Sequence, residues 1–240
     1  MITLSVLLFE LTSLFFIGRA LTMASILFFS SFFRSRTIAV TLITLFQFPG
    51  TIIHELAHLF TAEILGVRTG KLILAPESIR GDHIQTGSVQ MNESDPFRRA
   101  LIGIAPLLVG LVALGALSSF LPGIYETIPW NRGLDVLASG SLYILFGLAY
   151  LLSAVSLAMF PSSIDMKGVW GVGILITLIL FGTFFLGLRV SLTGQALEYT
   201  TRIGTSMTQS LGLTLALNSI LLLLMKVLVA GMGKISSKRR

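Results

Sequence analysis

The chain has 240 residues, of which 54% are apolar and only 12% charged, and its mean hydropathy is +0.89. A water-soluble domain carries charge on about a quarter of its residues, so composition alone excludes that class. The net charge is +6, but the basic residues flank apolar stretches instead of forming a block, so no nucleic-acid partner is expected, and the absence of cysteine removes disulfides and thiolate metal sites.

A transmembrane helix needs about 20 mostly apolar residues. By that measure the sequence predicts an all-α polytopic membrane protein of six spans, at 1–33, 37–66, 99–121, 134–159, 168–190 and 211–233, forming one domain over residues 1–240. The first stretch carries Glu10 and Arg19 and is taken as one span. It lacks the basic n-region and small-residue cleavage site of a removable signal peptide.

The second span contains QFPG at 47–50 and then the run HELAH at 54–58. Proline removes a backbone donor, which predicts a kink or bend at Pro49. Residues four apart share a helix face, so His54 and His58 can converge on one metal ion while Glu55 can reach a water beside it. The chain has only three histidines, and ionisable groups at membrane depth default to a functional reading. Zinc held here must use histidine, carboxylate and water. A carboxylate would complete a two-histidine site, and Glu63, Glu77 and Asp82 all follow the motif. Glu63, five residues beyond His58, is turned away from the ligand face. The side chains of Glu77 and Asp82 cannot be oriented from sequence, and His83 reads as a polar strand end.

Residues 67–98 form the one long polar stretch. KLILAP at 71–76 and HIQTGSVQM at 83–91 have strand composition, and ESIRGD between them supplies turn formers, predicting a β-hairpin inserted after the HExxH helix. Its edge could take an extended peptide by strand addition. The charges Glu77, Arg80, Asp82, Glu93 and Asp95 read as solvated. In NESDPFRR, Asp95 is the expected N-cap and Pro96 the first helical residue of the third span. Trp130 and Trp170 are placed as interfacial aromatics, and the many glycines as helix-packing positions. Residues 191–210 are expected as a polar loop, and the basic tail 234–240 suits anionic lipid. Of the basic residues beside the spans, ten fall on the side of the 67–98 segment and the tail and five on the other. The positive-inside rule then gives a multi-pass protein with N- and C-termini in the cytoplasm, by default in a bacterial plasma membrane.

FPGTIIHELAHLFTAEILGVRTGKLIL resembles the first active-site helix of the site-2 protease class of intramembrane zinc metalloproteases. In that class a β-hairpin follows, then a span with a Gly-Pro signature, which GIAPLLVG at 103–110 resembles, with Pro106. A later helix supplies an aspartate ligand, and FPSSIDMKG at 160–168 occupies that place. The resemblance implies Zn2+ held by His54, His58 and Asp165, with Glu55 as the catalytic glutamate. The asparagine before the proline is missing and Met166 stands where glycine is usual, so the chain is most similar to a divergent branch of the class. Ser162 or Ser163 reads as a helix cap, with a hydrogen bond to the site or substrate as the alternative.

The function expected is zinc-dependent endopeptidase cleavage of a membrane protein or peptide in or beside the bilayer. A protease-like scaffold that has lost activity is the alternative. A metal or proton transporter using the same side chains ranks third, since it gives Glu55 no reason to occupy the HExxH register.

Overall fold

The computed structural model describes residues 2–73, 79–80, 83–84, 88–91, 95–130, 136–185 and 193–237. Helix dominates them: α1 (Ile2–Phe33), α2 (Arg36–Ile64), α3 (Pro96–Ser119), α4 (Leu121–Glu126), α5 (Gly140–Ala158), α6 (Met166–Phe185) and α7 (Gln195–Ser237). Among the described residues, five stretches are long and apolar enough to cross a membrane: Leu4–Phe33, Arg36–Ile64, Pro96–Glu126, Gly140–Ala158 and Gln195–Met232. The chain is therefore a multi-pass membrane protein by length and composition of its helices. α6 adds a shorter apolar stretch, Val169–Thr183. Its side chains at Ile174, Leu175 and Ile176 are all exposed, and consecutive residues point in directions about 100° apart, so the exposed apolar surface covers more than one face of the helix.

Among the described residues, four short strands lie between α2 and α3. β1 (Thr69–Ile73) pairs antiparallel with β4 (Ser88–Met91), and β2 (Ile79–Arg80) with β3 (His83–Ile84). Much of the expected ESIRGD turn lies outside the described residues, as do the side chains of Glu77, Asp82, His83 and Glu93.

Contacts divide the chain, expected as one domain, into two compact units. The first comprises Met1–Gly50, Leu111–Ala158 and Ser206–Arg240. Here α1 passes to α2 through Arg34 at φ 52 and Ser35, whose hydroxyl accepts the Ile38 N–H at 3.4 Å as an N-cap. α2 continues through Pro49, so QFPG lies inside the helix and does not end it. At Gly50 a Cβ would run into the Ala154 carbonyl, so the contact of α2 with α5 needs glycine there. Asn218 of α7 is fully buried, accepts from the Ser153 hydroxyl at 2.8 Å and donates to Ser156 Oγ at 2.8 Å. Such polar contacts between helices replace the hydration a bilayer cannot supply.

The second unit comprises Thr51–Gly110 and Met159–Thr205. α2 ends here in a Schellman motif: the Val67 N–H reaches the Ala62 carbonyl at 2.8 Å and the Gly66 N–H reaches Glu63 at 3.0 Å, with Gly66 at φ 70. Val67 then packs with Ala62 and Ile102 in a small buried cluster, with Leu65 against it. Asp95 caps α3 as expected, accepting the Arg98 N–H at 2.9 Å, and Pro96 opens the helix.

The loop expected at 191–210 is corrected. α7 starts at Gln195, after Gly194 at φ 60, and carries Glu198 in its first turn, where an acidic group opposes the helix dipole favourably. The threonines that make the segment look like a loop bond back to the helix, Thr201 to the Leu197 carbonyl at 2.9 Å and Thr205 to Thr201 at 3.0 Å. The 43 residues of α7 extend roughly 65 Å, about twice the hydrocarbon thickness, so its polar first turns need not lie in lipid.

Replacing Asn218 by Ala leaves the Ser153 hydroxyl without its buried acceptor, which costs about 1–3 kcal/mol. The expected result is a lower thermal midpoint for the detergent-solubilised protein than for wild type.

Candidate metal-binding site

The second half of α2 buries one stripe, Thr51, Glu55, His58 and Ala62, at the spacing of a helix face. His58 is 4% exposed and Glu55 6%, an uncommon depth for groups of this polarity. His54 lies one turn before His58, its side chain 13% exposed.

The His58 ring is held from behind. Its Nδ1 lies 2.9 Å from the carbonyl oxygen of Ile102 on α3. A carbonyl can only accept, so Nδ1 carries the proton and donates it, and Nε2 is left facing the other two side chains. That Nε2 lies 3.2 Å from His54 Nε2 and 3.4 Å from Asp165 Oδ1, and His54 Nε2 lies 3.9 Å from Asp165 Oδ2. One donor atom from each of the three residues falls within 4.8 Å of the others, so His54, His58 and Asp165 form a group that could hold a metal ion. Lone pairs crowded this closely away from water repel unless a proton or cation lies among them.

Asp165 is oriented by its own helix start. The Ser162 N–H donates to Asp165 Oδ2 at 2.7 Å, and the Asp165 N–H returns a bond to Ser162 Oγ at 3.3 Å. This is a reciprocal capping box with aspartate in the place of the usual glutamate. One oxygen of Asp165 is thereby committed to the backbone, and Oδ1 is turned to His58. The expectation that a serine here caps the helix holds for Ser162, and the same bonds aim the acidic side chain. α3 supports the segment from the other side. A Cβ on Gly103 would collide with the Asp165 carbonyl, and one on Gly110 with the side chain of the buried Met159. Glycine at 103 and 110 thus lets α3 lie directly against residues 159–165.

The four expected site residues come together in one unit: Glu55, buried on the α2 stripe, lies within electrostatic reach of His58 and Asp165. Glu63 is exposed and outside the group. Sequence reasoning missed the Ile102 carbonyl, because a backbone acceptor leaves no residue-type signature, and it missed the constraint at Gly103. The S-x-x-D spacing at 162–165 was the signal that could have revealed the capping box.

Ser162→Ala removes the hydroxyl that anchors this box. Metal affinity is expected to fall about tenfold, within the range seen when a ligand's supporting group is lost, while Ser163→Ala leaves it unchanged; chelator competition on purified protein measures both. Comparison with family models, with curated proteins and with solved structures returned no match for this chain.

Proposed function

We propose that this protein is a zinc-dependent intramembrane endopeptidase. The observation that carries the reading is the convergence of His54 Nε2, His58 Nε2 and the Asp165 carboxylate, with Glu55 buried one residue after His54 on the same helix. The donor set fits zinc: two imidazoles and a carboxylate are an established catalytic combination. A tetrahedron with bonds of about 2.0 Å has edges of about 3.3 Å; two of the donor separations, 3.2 and 3.4 Å, match it, and the third, His54 Nε2 to Asp165 Oδ2, is longer at 3.9 Å.

When bound, zinc supplies Lewis acidity for activating water and polarising the scissile carbonyl. The protein's own groups do the rest. His58 is kept in one tautomer by Ile102, Asp165 is aimed by Ser162, and Glu55 takes the proton of the attacking water and returns it to the leaving amine. A helical substrate must unwind locally before its peptide bond is exposed, and an edge of β1 or β4 could hold the unwound strand. Substrates are membrane proteins or peptides in or beside the bilayer. In this reading α6 is a sixth crossing, the two strand pairs belong to one hairpin, and both termini lie in the cytoplasm, by default that of a bacterium.

The first test is zinc content of the purified protein by elemental mass spectrometry. About one zinc per chain is expected, lost in His58→Ala and in Asp165→Ala; zinc retained by Asp165→Ala would overturn the assigned donor set. Glu55→Gln is expected to keep the metal and to cleave transmembrane reporter substrates about 10²–10⁴-fold more slowly. Undiminished cleavage by that variant would remove Glu55 from the chemistry.

A further inference from the structure

Pro106 is fully buried within α3 and is not one of the candidate donors. Its effect lies one turn back along the chain. In an α-helix the carbonyl of residue 102 accepts the N–H of residue 106. Proline has no N–H, so at this point α3 leaves the Ile102 carbonyl without its helical donor. Ile102 is 2% exposed, and a carbonyl so placed must find a donor elsewhere or remain unsatisfied at considerable cost. The donor it finds is His58 Nδ1–H, at 2.9 Å.

We infer that Pro106 is a positioning residue for the metal site: by withholding its N–H it hands the Ile102 carbonyl to His58, which fixes the Nδ1–H tautomer and turns Nε2 toward His54 and Asp165. The same turn of α3 carries Gly103, whose missing side chain admits the Asp165 carbonyl. One helical turn therefore serves two donors, a histidine through a freed carbonyl and an aspartate through close backbone approach. The proline's rigid ring and any bend it imposes are separate effects. They can be separated from the missing N–H by experiment.

The inference rests on the metal-binding reading, and the test keeps the two apart. Residue 106 is replaced in the full-length protein by Ala, which restores the N–H, and by the α-hydroxy analogue of alanine, which lacks both the N–H and the ring. Zinc affinity is measured by chelator competition. The protonation of the two His58 ring nitrogens is read by ¹⁵N NMR on the zinc-free protein, with His58 assigned by substitution. Pro106→Ala is expected to weaken zinc binding about tenfold or more and to shift His58 from the pure Nδ1–H tautomer to a mixture, while the hydroxy analogue retains wild-type values in both. Wild-type values in Pro106→Ala would overturn the inference, and so would equal losses in both replacements, which would make the ring responsible. If the wild-type protein takes up no zinc, the proposed function fails and the tautomer measurement alone decides the role of Pro106.

Discussion

The hydrogen bond from His58 Nδ1 to the Ile102 carbonyl joins a histidine on α2 to a main-chain oxygen on α3, and the candidate site is arranged around it. It satisfies two buried groups at once, which matters more here than in water because no solvent is at hand to replace a lost partner. It also decides which face of the imidazole is left for a ligand. Val67, brought back by the Schellman turn that ends α2, packs on the same Ile102. The end of α2 and the start of α3 are thus held together by apolar contact and by one polar bond.

Asp165 is fixed by a different device. A carboxylate on a flexible loop would lose rotamer freedom on binding a cation, and that loss would weaken the site. The capping box with Ser162 removes most of that freedom beforehand, because one oxygen is already bonded to the backbone. Gly103 fixes the position of the residue itself through its carbonyl. These local constraints account for how donors from α2 and from the segment before α6 fall within reach of a single ion.

The apolar setting imposes the rest of the design. Ser153, Asn218 and Ser156 pair with one another where α5 meets α7, and close approach falls on glycine, as at Gly50. Where the surface is apolar on more than one face, as on α6, side chains stand exposed without forming a core. Both patterns follow from a solvent that offers no hydrogen bonds and exerts no hydrophobic pressure between helices.

Helical spans were legible because apolar length is a one-dimensional property: α1, α2 and α3 appear near their expected limits, and α5 ends near its expected limit but starts only at Gly140. The polar run before the last span misled, since threonines that bond back to their own helix look like loop residues in a list of letters. His54, Glu55 and His58 were legible from spacing alone, because the 3.6-residue period fixes which residues share a face. Asp165 came from resemblance rather than from the period, since nothing local links it to α2. By itself the sequence determined the class of protein and the histidine pair, which depend on neighbours within a few positions, and it narrowed the cap to Ser162 or Ser163. Only the tertiary structure brought Asp165 beside the two histidines, in a group that could hold a metal ion, and set the Ile102 carbonyl against His58 Nδ1. Those contacts join residues distant along the chain, and one of them is made by a backbone atom that every residue possesses.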